Sequence, residues 1–154
     1  MLAGGSAGLL AGLLANARTT ADCDVIWTDS TEWELMERSA REIAAEQGLP
    51  DRWLNRDCAV YAWSLPLGWL DRCEKVRTFG AFEVMRLARI ALIASKVFGA
   101  PLRPQDMQDL RAIAPTASEL DVVEAHLDRL ASEHLDGDEF ASQREVLRTL
   151  RSRP

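Results

Sequence analysis

Leu9, Leu10, Leu13 and Leu14 recur at the three-and-four spacing of a helix, and Ser6 stands where it can cap one. A first helix is therefore predicted from Ala7 to about Asn16. The next segment, Thr19 to Trp27 (TTADCDVIW), changes period. After its acids come Val25, Ile26 and Trp27, which suit a short strand ended by Asp29-Ser30-Thr31. Thr31 with Glu34 makes a capping box, and the helix it opens carries Leu35, Ile43 and Ala44 as an inward stripe until Gly48 and Pro50 stop it. From Leu49 to Lys75 the periodicity weakens, and Cys58 to Trp63 (CAVYAW) reads as a buried strand between two loops. Val76 to Val84 (VRTFGAFEV) reads as a further strand. Four helices complete the pattern: Arg86 to Phe98 with Leu87, Ile90, Ala91 and Ala94 on one face; Pro104 to Ile113; Thr116, again with a capping-box Glu119, through Leu130; and Asp138 through Leu150. Strands early and helices late predict an α+β fold, with a small mixed β-sheet, flanking helices and a helical C-terminal part.

Length and composition narrow the class. At 154 residues the chain is expected to form one domain over 1–154, with a core region 1–100 and the helical part 101–154, and it can bury roughly two-thirds of its unfolded surface. Hydrophobic residues make up 47% and charged residues 27%, which excludes a disordered chain, a collagen and a coiled-coil rod. Lys and Arg number 18 against 24 Asp and Glu, so a net charge of −6 offers no overall attraction to nucleic-acid backbones or anionic membranes. Cys23, Cys58 and Cys73 are widely spaced and His126 and His134 lie far downstream, so neither a disulfide framework nor a structural zinc site is expected. That usage suits a reducing compartment. The apolar run from Met1 to Ala17 ends in Ala-Asn-Ala like a leader, but it has no Lys or Arg before its apolar part and is broken by Gly4-Gly5. It is read as part of the fold, with a cytoplasmic location and no membrane partner expected.

Two short stretches offer chemistry. In Asp22-Cys23-Asp24 the alternation of a strand turns both carboxylates to one side, about 6.6 Å apart along the chain. At an effective dielectric near 20 they repel by roughly 2 to 3 kcal/mol, a cost that a divalent cation between them removes. Taken alone, Asp-x-Asp more often marks a solvated strand end. Gly4-Gly5-Ser6 stands at the mouth of the first helix, where glycines admit a ligand close to the backbone and free N–H groups attract phosphate. Taken alone, the glycines are better read as turning the chain.

In series, the glycine-glycine-serine turn, the helix and a strand bearing D-x-D resemble the nucleotidyltransferase superfamily that includes DNA polymerase beta and the minimal bacterial nucleotidyltransferases. GGSAGLLAGLLANARTTADCDV is similar to an uncharacterised bacterial subgroup with a T-x-D-x-D strand, then a helix and a G-L-P-x-x-W-L segment, here Gly48 to Leu54. Lys96 and the run Arg103 to Leu110 match that subgroup's K…R-x-x-D-x-x-D-L, so the similarity covers roughly residues 3 to 130. The resemblance implies a nucleotidyltransferase-like fold and transfer of a nucleoside monophosphate from a magnesium-bound nucleoside triphosphate to an unknown acceptor, whether protein, RNA or small molecule. It assigns Mg²⁺ to Asp22 and Asp24, which are also catalytic, and the triphosphate to Gly4, Gly5 and Ser6. Lys96 is the candidate to reach a phosphate, against a solvated lysine near a helix end.

The superfamily's third carboxylate sits on a neighbouring strand, where Glu83 is the best candidate; Asp57 and Asp71 are weaker ones. Only Met1-Leu2-Ala3 precede the glycines, where relatives carry a full strand. The alternative function is accordingly a catalytically impaired, nucleotidyltransferase-like binding module, such as a toxin–antitoxin component. Its partner would be a cognate antitoxin or a second copy of the chain. Asp106 and Asp109 share a helix face and are expected to be structural, paired with Arg103. The five tryptophans, all between residues 27 and 69, are expected to pack a loop-rich lobe, with base stacking as the rival role.

Overall fold

Leu2 joins two short β-ladders into one sheet. In the computed structural model, which describes residues 1–14, 20–27, 30–133 and 140–152, Leu2 bridges antiparallel to Val25 and parallel to Arg86. Its N–H donates to the Met85 carbonyl at 2.8 Å, and its carbonyl accepts from the Leu87 N–H at 3.0 Å. Strand β1 (Cys23–Asp24) lies parallel to β2 (Leu54–Asn55), and β3 (Glu74–Phe79) lies antiparallel to β4 (Phe82–Arg86). Across the sheet the order is therefore β2, β1, Leu2, β4, β3, a mixed sheet whose central position is held by a single extended residue.

Helix α1 (Gly4–Leu10) follows at once, then α2 (Ser30–Gln47), closed by Gly48 at φ +66°. Helix α3 (Arg89–Gly99) is apolar nearly all round: Ala91, Leu92, Ile93, Ala94 and Val97 are all buried, the pattern of a helix enclosed by its neighbours. Packed on it are α1, α4 (Pro104–Ile113), α5 (Ala117–Glu133) and α6 (Ala141–Arg151). Pro104 opens α4 where its missing N–H costs nothing, and the capping box at the start of α5 is present, with Glu119 accepting from the Thr116 N–H at 2.8 Å. Arg89 ties α3 to α5 through Glu119 at 2.6 Å. One buried apolar cluster runs from Ala3 through Leu92 and Leu127 to Leu147, so the 1–100 and 101–154 regions share a core.

Five expectations are corrected. Residues 58–63 are not a strand: Asp57–Ser64 form a 3₁₀ helix that presses Cys58, Ala62 and the following Leu65 against the core and leaves Val60 and Tyr61 exposed. A short apolar run cannot by itself separate a buried strand from a helical turn. Residues 76–84 are two strands rather than one, because Gly80 at φ +58° opens a two-residue hairpin turn between Phe79 and Phe82. Arg86 to Ala88 precede the helix at Arg89, since Arg86 is held in the sheet. On α2, Leu35 and Ile43 are exposed and the inward face is Ala40 and Ala44, small enough for Trp53 to lie close and donate from its indole N–H to the Ala40 carbonyl at 2.9 Å. Helix α1 is also shorter than expected, ending at Leu10, with Leu10 exposed and Leu14 buried. The expected helix end at Asn16, strand start at Thr19, turn at Asp29 and helix start at Asp138 lie outside the described residues, as does the Thr31 side chain.

Candidate functional site

Residues 2–3 and α1 meet β1 at one point. The Ala3 N–H donates to the Asp24 carbonyl at 2.9 Å, and the Ser6 hydroxyl donates to the Asp22 carbonyl at 3.0 Å, so the glycine turn is fastened along the acid-bearing segment. Gly4 sits at φ +59°, a backbone region that side chains disfavour, and a Cβ built there would collide with Oδ2 of Asp24. The carboxylate of Asp24 thus lies directly over the turn. Gly4→Ala is expected to weaken the fold and to displace this carboxylate; a thermal melt with a midpoint equal to that of the wild type would contradict the close packing.

This contact opens into a cleft of about 310 Å³. Its polar end is formed by Gly4, Asp24, Lys96, Arg103 and Asp106, and its apolar end by Ile26, Tyr61, Trp63, Phe98, Leu102 and Phe140. Phe98 stands edge-on to Trp63 (centroids 5.8 Å apart) and to Phe140 (5.7 Å), which makes an aromatic floor. Behind it, His126 on α5 is held by the Ser64 carbonyl at 2.9 Å on Nε2 and by Arg129 at 3.2 Å on Nδ1. With Nε2 donating and Nδ1 accepting, the ring is neutral, and burial lowers its pKa further.

Electrostatics single out Asp24. Its pKa is raised, first by burial and then by the negative charge of Asp22, against the opposing pull of Arg103 and Lys96. Cys58, on the same cleft, has its thiol pushed up to about 12, by burial and by the charge of Asp24, so it stays a neutral thiol. Asp22 precedes β1 and is exposed; its carboxylate accepts from the Thr20 hydroxyl at 2.9 Å, and it is not among the residues lining the cleft. The pair of acids is therefore unequal: Asp24 faces the cleft, and Asp22 acts on it from the rim.

The remaining candidates fall in different places. Lys96 lines the cleft, but its side chain is only 2% exposed and its ammonium is bound to Asp106 at 2.5 Å and Asp109 at 2.7 Å. The charge expected to be solvated or to reach phosphate is spent inside the protein, locking α3 to α4. Arg103, expected only as a partner for the α4 acids, does contact Asp106 at 3.1 Å, yet its side chain is 61% exposed and lines the cleft. Among the described residues that line the cleft, it is a cation exposed enough to be reached from solvent, which its position before Pro104 did not signal. Glu83 lies on the β3–β4 hairpin in an ion pair with Lys75, outside the cleft lining. Asp57 pairs with Arg52, and Asp71 lines a separate, open depression beside Trp69. Among the described residues, no three His, Cys, Asp or Glu side chains come together as a metal cluster. Of the tryptophans, Trp63 reaches the cleft, Trp33 is covered by the Arg56 guanidinium, and Trp53 packs on α2.

A small α+β fold with a glycine turn over a strand aspartate, opening on a partly cationic cleft, has the layout of a nucleotidyltransferase. The model of a family described as a nucleotidyltransferase of unknown function (DUF6036) matches residues 1–144, and the chain belongs to that family. No curated protein and no solved structure matches the chain. Among the described residues, no helix is long and apolar enough to cross a membrane.

Proposed function

We propose that the cleft binds a magnesium-complexed nucleoside triphosphate and passes its nucleoside monophosphate to an acceptor. The observation that carries this reading is the position of the Asp24 carboxylate, packed on Gly4 at the polar end of a cleft whose other end is aromatic. A polyphosphate would lie against the first turn of α1 and Arg103, and the base against Phe98 and Phe140. One carboxylate in the cleft is a small set for a bare ion, but magnesium commonly takes one or two carboxylates and completes its shell with phosphate oxygens and water. Asp24 fits that share, and the repulsion it feels from Asp22, which lies outside the cleft lining, is what a cation would relieve. When bound, the ion would neutralise charge on the phosphates during transfer. In the reaction the acceptor oxygen bonds to the α-phosphorus, the bond to the bridging oxygen breaks, and pyrophosphate leaves with that electron pair.

Arg103 would hold phosphate as a planar fork, with Asp106 fixing the guanidinium from behind. Lys96 would contribute through the fold, since its ammonium already carries two carboxylates.

The position of Glu83 favours a second reading. With Glu83 paired to Lys75 away from the cleft, the chain would bind nucleotide without turning it over, as a binding module in an assembly such as a toxin–antitoxin pair. Incubation with nucleoside triphosphates labelled at the α-phosphate, in a cell lysate, separates the two. A labelled acceptor that disappears with Asp24→Asn is expected for the enzyme. Binding without any labelled acceptor would support the impaired module.

A further inference from the structure

Gln143, on the first turns of α6, lines the same cleft, and its carboxamide Oε1 is buried without a hydrogen-bond partner among the described residues. A buried amide oxygen left unpaired is costly to a fold, and a donor arriving from outside the chain removes that cost. Its surroundings define that donor. Phe140, three residues earlier and 3% exposed, and Phe98 form the aromatic end of the cleft, while Asp24 and Arg103 stand at the polar end. A flat aromatic ligand between these faces would present its edge to α6. The terminal torsion of a glutamine is broad and nearly two-fold, so a small turn brings Oε1 and its paired Nε2 to the cleft together.

We infer that Gln143 selects the base, accepting a hydrogen bond at Oε1 from an exocyclic amino group and donating from Nε2 to the adjacent ring nitrogen, as adenine and cytosine offer. This pairing matches a carboxamide in both directions, the arrangement by which glutamine reads adenine elsewhere. The assignment deepens the proposed function and rests on the nucleotide occupying this cleft. Gln143 is a specificity residue here, remote from the phosphates and with no part in the transfer step.

The test compares ATP with purine riboside triphosphate, in which hydrogen replaces the amino group, by calorimetry with magnesium on the wild type, Gln143→Leu and Gln143→Glu. The wild type is expected to bind ATP about 10- to 100-fold more tightly than the analogue, the range set by one unpaired buried polar group. Gln143→Leu is expected to lose most of that ratio, chiefly through weaker ATP binding, while binding of the analogue falls less. Gln143→Glu keeps the acceptor oxygens and is expected to retain part of the preference, which a merely structural role for the side chain would not produce. Equal binding of ATP and the analogue by the wild type, or an unchanged ratio in Gln143→Leu, would overturn the assignment while leaving the cleft as a nucleotide site. If neither nucleotide bound to any of the three proteins, this inference and the proposed function would both fall.

Discussion

Replacing Lys96 with methionine is expected to lower the unfolding free energy by about 3–5 kcal/mol, because it strands Asp106 and Asp109 as buried carboxylates. Methionine fills nearly the same volume, so packing contributes little to the loss. The charge account makes a further demand. A variant that also carries Asp106→Asn and Asp109→Asn has no uncompensated charge and is expected to recover part of the stability that Lys96→Met loses. Urea denaturation at neutral pH measures both, and a loss below about 1 kcal/mol for Lys96→Met would contradict a buried ion triad. The triad has a functional consequence through position alone. It joins the C-terminal half of α3 to the first turns of α4, and Arg103 stands immediately before α4, so weakening the lock would loosen the cation that faces the cleft.

Asp24→Asn is expected to act in opposite directions on stability and function. The raised pKa of Asp24 means that its neutral form suits the folded protein better than its charged form does. Its stabilising contribution is thus fully present below the ordinary carboxylate range and is lost as pH rises through the raised value. At neutral pH the aspartate is a liability to the fold. Asparagine carries no such charge, so the variant should melt higher than the wild type at pH 7, and the difference should fade as the pH is lowered past the normal carboxylate range. Transfer activity, in contrast, is expected to fall of the order of 100-fold or more, since the group that would hold the metal is gone. Melting curves from pH 3 to pH 7 beside a transfer assay test both arms. A variant less stable at pH 7, with unchanged activity, would make Asp24 an ordinary structural residue.

The parts of this protein that could be read from its sequence are those specified within a few residues. The Thr116–Glu119 capping box, the Pro104 helix start and the glycine stop after α2 all depend on backbone groups close by, and all are present. The segment 58–63 failed for the opposite reason: its apolar run is compatible with two periods, and only packing against α3 selects the 3₁₀ turn. The α2 stripe failed because the sequence shows that Leu35 and Ile43 are large and apolar, but not that Trp53 takes up the space beside the small residues Ala40 and Ala44. In the site, the order of the glycine turn and the D-x-D strand was legible, and the turn does lie over Asp24. What the alternation rule missed is that β1 begins after Asp22, so the two acids occupy different surroundings. That Lys96 rather than Arg103 takes the buried place between Asp106 and Asp109 has a similar cause. Which of two nearby cations is buried depends on how α3 meets α4, a contact between segments that no local spacing encodes. Gln143 carried no signal at all, because its interest lies in a missing partner.

The claim on which the account turns is that Asp24 and the glycine turn form one nucleotide site. A crystal structure with manganese and a non-hydrolysable ATP analogue tests it most directly, since the anomalous signal of manganese marks the ion independently of the nucleotide. The expected result is manganese coordinated by the Asp24 carboxylate, with phosphates against Gly4 and Arg103 and the base beside Phe98. Nucleotide bound elsewhere, or manganese held without Asp24, would contradict it.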